Sequence, residues 1–518
     1  MKPKVILIGL DGATWTLLRP LAEAGILPTF SHFLSKGTNG NLLSTFPCYT
    51  GPAWTSMVTG VTPAKHGIFG FIRDHNVASI NSTQVPKIWD ILNKKGITTG
   101  IMNVPLTYPV KPVEGFMIPG MLTPIEDPAV WPSDVLQFIR RENGSYIIDV
   151  AVGHGDINDP TIFKRIEEAL QLRFQAFSLL MRTYSPDFSM IVFEMPDRLQ
   201  HLYWKYLDPL QPFYTTPQGV EIRNEIITLF KKLDTIIGEI YKRFYTGHYV
   251  LLASDHGFTS LEYCFYLDNY LVKKGFQKRK RGSYLYSILS EIESRARRYI
   301  GQISQAESFA NFYDLSDIDW ETTVAYASPM FEQGAYIRKD LVDKCLIIDR
   351  LRKELNSLEH PDKPDTKLKV DITLKEDAFG SGMFTDSSPD IFMNIEDSTF
   401  EIRQYSNKKI LFLSKKHLPC GIHHPKGLFS IIGPAIRDGL WIEDIRITDI
   451  FPTILSIYGV PIPQLCDGKV ITQSFLEGTI KPVYINEEPM VSFDRMKMPY
   501  TEDQTEEIRK KLSGLGYL

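Results

Sequence analysis

The sequence is poor in cysteine, and the cysteines that it has form no motif. An odd number is scattered along the chain without a CxxC pair, namely Cys48, Cys264, Cys345, Cys420 and Cys466. This usage disfavours both a disulfide framework and a cysteine-bound zinc site, and it is typical of a protein from a reducing compartment.

Long apolar runs are also missing. No stretch reaches the roughly 18 apolar residues of a membrane-spanning helix. Two lysines precede the apolar run Val5–Leu10, but that run meets Asp11 at once. It is too short for the apolar part of a signal peptide and fits a buried strand better. We therefore expect a cytoplasmic protein without a transmembrane segment.

The sequence also lacks a large excess of either charge. The net charge is −4, with 23% charged and 43% hydrophobic residues. This balance gives no reason to expect nucleic acid as a general partner, and it excludes a disordered chain. Basic residues concentrate between 273 and 298, in Lys273–Arg281 and Arg295–Arg298. A solvated loop and a collar for an anionic substrate or membrane surface both stay open for this stretch.

Three apolar runs that read as strands end close to an aspartate. Val5–Leu10 is followed by Asp11, Phe188–Phe193 by Asp197, and Tyr249–Ala253 by Asp255. Helical patterns separate them, which predicts an α/β fold with a doubly wound, mostly parallel sheet and helices on both faces. Ligands of such sheets bind beyond the carboxyl ends of the strands, where these aspartates stand.

A chain of 518 residues exceeds one average domain. Strand and helix patterning weakens after about residue 259 and returns before residue 390. We predict a catalytic core in two parts, residues 1–258 and 388–518, with an inserted cap or lid at 259–387. The second part of the core ends in a predicted helix from Glu502 that runs into the final LGYL.

The segment Ser44–Gly67 is dense in hydroxyl side chains. Gly51 and Pro52 follow Thr50 and favour a sharp, exposed turn there, with a helix over Ala53–Thr59. A hydroxyl at a turn that opens a helix lies near free backbone N–H groups, which favour an anionic group.

Carboxylates and imidazoles recur at the predicted strand ends. Asp197 and His201 are four residues apart and share a face if a helix follows the strand. Asp255 and His256 precede a glycine, and His423 lies in the turn-rich GIHHP. With Asp11 these residues offer oxygen and nitrogen ligands without a thiolate, which suits zinc or manganese.

Several blocks resemble the alkaline phosphatase superfamily, most closely its type I phosphodiesterase/nucleotide pyrophosphatase branch. They appear in the family's order along nearly the whole chain. The matching blocks are LIGLDG, Thr50 through VTGVTPAKHGI, the Asp197–His201 spacing, SDHGF, GIHHPKG, ITDIFPTILSIYGVPIP with Asp467-Gly468, and LGYL.

The resemblance implies two divalent metal ions, with zinc the first choice and manganese the second. One ion would be held by Asp11, Thr50, Asp255 and His256, and the other by Asp197, His201 and His423. His424, beside the matched position, is a weaker candidate. Thr50 matches the nucleophile and would form a phospho-enzyme intermediate.

Charge explains why such a site needs the ions. Its three carboxylates and an ionised Thr50 together carry −4, which two divalent cations neutralise before an anionic substrate arrives. A threonine hydroxyl is a poor nucleophile until metal coordination helps to remove its proton.

The substrate is expected to be a small phosphorylated molecule. No arginine is placed beside Thr50, since Lys65, His66 and Arg73 are near only in sequence, and this favours diesters over monoesters. Nucleotide pyrophosphatases carry an asparagine shortly after the His-Gly block, where this chain has Phe71, so nucleotide specificity is open. His66 also fits a buried structural role.

Other activities on this fold are weighed against a phosphodiesterase. A phosphomonoesterase or a phospho-group transferase stays open, and a non-catalytic binding protein is disfavoured because every ligand position is kept. A sulfatase needs an arginine that does not follow Cys48, and a phosphoglycerate mutase is disfavoured by the threonine. The sequence gives no oligomeric state.

Overall fold

The computed structural model describes residues 2–73, 76–124, 129–150, 152, 157–280, 315–328, 331–341, 343–404, 410–486 and 500–515. Strands are numbered in chain order: β1 Val5–Leu10, β2 Thr38–Leu43, β3 Ile72–Arg73, β4 Asn76–Val77, β5 Thr99–Val104, β6 Gly115–Pro119, β7 Phe188–Phe193, β8 Tyr249–Ala253, β9 Gly257–Ser260, β10 Tyr263–Tyr266, β11 Ala325–Ser328, β12 Phe331–Ile337, β13 Val370–Leu374, β14 Ile391–Ile395, β15 Phe400–Arg403, β16 Phe412–Ser414, β17 Gly421–His424, β18 Lys426–Ile432, β19 Leu440–Arg446, β20 Ile462–Pro463 and β21 Tyr484–Ile485.

The α-helices of the described ranges are numbered in the same way: α1 Trp15–Glu23, α2 Pro28–Lys36, α3 Thr50–Thr59, α4 Pro63–His66, α5 Ile88–Lys94, α6 Val135–Asn143, α7 Ile162–Tyr184, α8 Met195–Leu207, α9 Pro217–Ile240, α10 Leu267–Lys273, α11 Lys344–Leu355, α12 Lys375–Phe379, α13 Ile450–Ile457 and α14 Glu502–Leu515. Within these ranges no helix is both long and apolar enough to cross a membrane.

A large sheet of eight strands organises the fold, in the order β19-β2-β18-β8-β1-β7-β5-β6. Its neighbours run parallel except at β18, which is antiparallel to both β2 and β8. The predicted α/β fold with a mostly parallel sheet is confirmed. The apolar runs β1, β7 and β8 lie side by side at its centre, because strands that are buried on both faces are apolar throughout.

Alternate residues of β1 serve two separate cores. Val5 and Leu7 pack on one face with residues of α3, α5, α13 and α14, while Ile6 and Ile8 pack on the other with residues of α1, α2, α7 and α9. Helices on both faces keep the central strands dry. Their carboxyl ends are left as the place where polar groups can gather.

The strands between residues 263 and 414 pair with one another rather than with the large sheet. They form a three-stranded sheet β15-β10-β16 and a four-stranded sheet β11-β12-β14-β13 around their own apolar core. The chain returns to the large sheet at β18. The domain boundaries of 258/259 and 387/388 stay predictions, although strand pairing joins β14 to the smaller sheet.

The basic stretch lies only partly within the described residues. Lys274 pairs with Glu354 (2.6 Å), and Lys278 lies 3.4 Å from Asp319. Arg279 is only 13% exposed and lies 3.7 Å from Asp268, so the described part of the stretch is paired with carboxylates and is not simply a solvated loop. Arg281, Arg295–Arg298 and the end of the LGYL block lie outside the described residues.

A buried carboxylate of α9 supports the start of α2. Asp234 accepts the backbone N–H groups of Thr29 (3.0 Å) and Phe30 (2.9 Å), which lie in the first turn of α2. Leu27 precedes that turn and supplies no capping side chain. Asp234 therefore takes the place of the missing N-cap and ties the two helices together.

Replacement of this carboxylate tests the packing of α9 on α2. Asp234→Ala should lower the free energy of unfolding by about 2 kcal/mol, because it leaves two backbone donors unpaired. Asp234→Asn should lose roughly half as much, since the amide keeps one acceptor. Denaturant unfolding measures both variants. Thr235→Ala, at an exposed neighbouring position, is the control, and equal losses in all three would refute the capping role.

Candidate metal centre

Three aspartates meet at the carboxyl ends of three neighbouring strands. Asp11 directly follows β1, Asp255 lies two residues after β8, and Asp197 is in the first turn of α8 after β7. Each is at most 3% exposed. The backbone N–H of Gly12 donates to Asp255 Oδ1 (3.0 Å) and so ties the end of β1 to the end of β8. The sheet thus brings together side chains that are far apart in sequence.

Three histidines complete the cluster. His256 Nε2 lies 3.2 Å from Asp255 Oδ2, 3.7 Å from Asp11 Oδ1 and 4.0 Å from Asp197 Oδ1. His201 Nε2 lies 3.3 Å from Asp197 Oδ1, as the spacing of four in a helix predicts. His423 Nε2 lies 3.5 Å from the same oxygen and 2.9 Å from His201 Nε2. All six predicted side chains therefore converge.

The pairing of β17 with β9 places His423 in the cluster. His423 stands opposite Phe258, and its ring stacks on His256 with 3.6 Å between the ring centres. Its Nδ1 lies 3.0 Å from the carbonyl oxygen of Cys48. This contact assigns the proton to Nδ1, so that Nε2 can act as a ligand.

The polar atoms at the centre are short of partners. Within the described residues, Asp11 Oδ1, Asp197 Oδ1, Asp255 Oδ2 and His256 Nε2 are buried without a hydrogen bond. Such atoms are costly to bury unless something compensates them. Two overlapping groups, Asp11/Asp255/His256 and Asp197/His256/His423, place ligand atoms within 4.8 Å of one another. Oxygen and imidazole donors in this arrangement fit divalent metal ions.

Burial and mutual repulsion perturb the carboxylates of the site. Burial, with the charges of Asp255 and Asp197, raises the pKa of Asp11 well above its ordinary value. Burial likewise raises the pKa of Asp255 to about 7 against the opposing hydrogen bond from Gly12. Burial would also raise the pKa of Asp197, but His201, His423 and Arg198 together hold it well below the ordinary value.

Burial keeps His256 and His201 neutral by lowering the pKa of each. Burial, with the charge of His423, lowers the pKa of His256 well below its ordinary value, and burial also lowers the pKa of His201. Neutral imidazole is the form that binds a metal ion.

Thr50 begins α3 beside this cluster. Two residues before it, Cys48 contacts His423, and four residues after it the Trp54 indole N–H donates to Asp11 Oδ2 (3.3 Å). The expected exposed turn is wrong, because Thr50 is 1% exposed and is itself the first helical residue. Pro52 fits the first turn, where no N–H is needed.

Glycines of the LIGLDG block make this approach feasible. A Cβ on Gly9 would lie 2.4 Å from the Trp54 ring, so only glycine lets α3 pack this closely on β1. Gly12 has φ of 69°, and a Cβ there would lie 2.7 Å from Phe258. The glycines of this block therefore leave room for the Trp54 and Phe258 rings to pack against the end of β1.

The motif blocks around His66 and Asp467 make structural contacts away from the Asp/His cluster. His66 Nε2 lies 2.9 Å from Ser56 Oγ, its Nδ1 accepts the N–H of Ile68, and burial lowers its pKa to about 3. Asp467 accepts the N–H of Thr62 (2.9 Å) and pairs with Lys65. These contacts lock the segment after α3 to the chain after α13.

His424 does not join the cluster. Its Nε2 lies 3.2 Å from Asp397 Oδ1, and its Nδ1 accepts the N–H of Lys426. Alternation along β17 explains this, since adjacent residues of a strand face opposite sides.

Sequence reasoning missed four residues around the cluster. Arg198 contacts Asp197 Oδ2 (3.1 Å), and its position next to the ligand was the available signal. Phe258 packs against His201, His256 and His423. Gln333 of β12 accepts the N–H of Cys48 (3.1 Å), which brings the four-stranded sheet to the segment before Thr50. Nothing local signals Gln333 or Trp54, because both contacts depend on the fold.

The large parallel sheet with buried Asp/His groups at its carboxyl edge defines an α/β protein of the alkaline-phosphatase-like fold with a site for divalent metal. The sequence model of the type I phosphodiesterase/nucleotide pyrophosphatase family matches residues 5–426, and the chain belongs to this family of phosphoester hydrolases. No curated protein matches the chain in a sequence search.

Adjacent histidines provide a matched test of the centre. His423→Ala should weaken metal binding by about 100-fold or more, since loss of an outer partner alone costs about 10–100-fold. His424→Ala should leave binding unchanged. Calorimetric titration of the metal-free protein with Zn²⁺ and Mn²⁺ measures both variants. Equal affinities in the two variants would contradict the assignment.

Metal should stabilise the protein more at high pH. A carboxyl whose folded pKa is raised, as for Asp255 at about 7, adds stability to the metal-free protein that is complete below about pH 4 and lost as the pH rises through about 7. Ionised carboxylates also bind the cation better. At 100 times the Kd the gain is about 2.7 kcal/mol. The metal-induced rise in Tm should therefore be larger at pH 8 than at pH 6, and the reverse order would contradict this view of the site.

Proposed function

We propose that the protein is a phosphodiesterase of the nucleotide pyrophosphatase type that works through a phospho-threonine intermediate on Thr50 with two divalent ions. The observation that carries this proposal is the convergence of Asp11, Asp197, Asp255 and their histidines beside the start of α3. One ion would be held by Asp11, Thr50, Asp255 and His256, and the other by Asp197, His201 and His423.

The two ions, when bound, would neutralise the carboxylates and the ionised hydroxyl and would stabilise charge on the attacking and leaving oxygens. Zinc is our first choice and manganese our second, because the donors are oxygen and imidazole nitrogen.

Thr50 is the group that reacts. Its oxygen attacks phosphorus, the hydroxyl proton leaves to solvent, and the bond from phosphorus to the leaving oxygen breaks. Water then attacks the phosphorus, which releases the phosphomonoester and restores the hydroxyl. The backbone N–H groups of Thr50 and Gly51 lie in the first turn of α3, where helices have no internal acceptor, and they can bind a phosphate oxygen.

The charges near α3 favour diesters. Lys65 pairs with Asp467 and donates to the carbonyl of Leu465, while His66 is buried and neutral. Phe71 lies 3.6 Å from the position of a Cβ on Gly51 and offers no hydrogen-bond donor. A dianionic monoester would need further cations to offset its second charge, whereas a diester carries only one.

The proposed compartment, substrate and partners rest on the sequence composition. We propose a cytoplasmic enzyme that acts on a small phosphorylated substrate and has no general nucleic-acid partner. The net charge of −4 and the absence of cysteine pairs support this view.

Paired aryl phosphates test the substrate class. The purified protein loaded with Zn²⁺ or Mn²⁺ should have a higher kcat/KM on bis(4-nitrophenyl) phosphate than on 4-nitrophenyl phosphate. The opposite ranking would indicate a monoesterase. Phosphorylated alcohol as the main product in the presence of glycerol would indicate a transferase, and inactivity with every metal would leave a binding protein.

Variants of two threonines in α3 distinguish loss of the proposed nucleophile from damage to the helix. Thr50→Val should lower kcat/KM by on the order of 10³-fold or more, because the attacking oxygen is lost. Thr55→Val should change it by less than about 3-fold, since the Thr55 hydroxyl only donates to the Gly51 carbonyl (2.7 Å). Acid-quenched wild-type protein should carry a phosphoryl adduct on the peptide that contains Thr50. An active Thr50→Val variant would end the proposal.

A further inference from the structure

A chain of ion pairs leads from the candidate metal centre to the last helix. Arg198 lies between two carboxylates, with its guanidinium 3.1 Å from Asp197 Oδ2 and 3.4 Å from Asp149 Oδ1. Lys511 of α14 lies 2.6 Å from Asp149 Oδ2. The path therefore alternates in charge as Asp197, Arg198, Asp149 and Lys511.

The side chains along this path are shielded from water. The Arg198, Asp149 and Asp197 side chains are at most 5% exposed, and that of Lys511 is 17% exposed. Interactions between charges in such surroundings are screened weakly compared with pairs at the surface. Lys510, the preceding residue, is exposed and lies 3.8 Å from Glu506 of its own helix.

Apolar contacts hold α14 against the large sheet's helical layer. Ile508 and Leu512 are buried in the same core as residues of α3 and α13. Tyr500, just before the helix, donates to the carbonyl of Leu122 (3.2 Å). The helix is thus anchored without Lys511, which leaves the lysine free for another role.

We propose that Lys511 is a positioning residue of the metal centre, acting through Asp149 and Arg198 on the orientation of Asp197. This inference rests on the proposed function, in which Asp197 is a ligand. With Lys511 pairing Asp149, Arg198 can keep its contact to Asp197 Oδ2, and Asp197 Oδ1 faces His201 and His423. Fixed outer partners of this kind orient a ligand.

Removal of the Lys511 charge should change how Arg198 is shared between Asp149 and Asp197. Asp149 would then be a buried carboxylate that keeps Arg198 in direct contact and Arg173 as a more distant cation, and it would draw the Arg198 guanidinium away from Asp197. Asp197 would lose its fixed orientation. Added negative charge alone would instead tighten the binding of a cation, so the two effects have opposite signs.

The test compares lysine variants in the full-length protein. Lys511→Met should weaken Zn²⁺ binding by about 10-fold or more in calorimetric titration, and Lys511→Arg should restore it. Lys510→Met should bind like the wild type. The double variant Asp149→Asn/Lys511→Met should recover most of the affinity, because Arg198 then has Asp197 as its only charged partner on the path.

A loosened helix gives the structural control. Leu512→Ala should lower Tm but leave the Zn²⁺ affinity of the folded protein unchanged, since it removes packing and keeps the ion pairs. Unchanged or tighter binding in Lys511→Met, or no recovery in the double variant, would overturn the inference. If His423→Ala still weakened binding by about 100-fold or more in that case, the proposed centre would stand. A wild-type protein that binds no divalent ion would overturn both proposals.

Discussion

Burial of three carboxylates at the ends of adjacent strands is the constraint on which the rest of the structure depends. Asp11, Asp197 and Asp255 cannot all be ionised in a dry site without compensation, and burial with mutual repulsion raises the pKa of two of them. The guanidinium of Arg198 offsets part of this charge, and divalent cations held by the carboxylates and imidazoles would offset the rest. The surrounding elements serve to hold these groups at fixed distances.

The motif blocks divide into two physical roles. LIGLDG, the Asp197–His201 pair and SDHG supply the buried polar atoms, whereas the block around His66 and the one around Asp467 bind each other and hold α3 in place. A motif shared with a family is thus no proof of contact with substrate. His66 shows this most clearly, because its ring is fully engaged by Ser56 and by the N–H of Ile68.

Much of the core could be predicted from local pattern. The bounds of β1, β7 and β8 agree with the apolar runs, since a short run that is apolar throughout is typical of a strand covered on both faces. The burial of Thr50 was not predicted, because Gly51 and Pro52 read as a turn until the packing of Trp54 on Gly9 is known. The antiparallel strand β18 and the pairing of β14 in the smaller sheet depend on partners distant in sequence.

The sequence by itself determined the α/β class, the family and the residues that could act as ligands, because these follow from composition, short-range period and motif spacing. Only the tertiary structure decided that His256 lies within reach of all three aspartates, that His424 turns away, and that Lys511 is linked to Asp197. The reason is that distances between side chains hundreds of residues apart are set by strand order and helix packing, which no local pattern encodes.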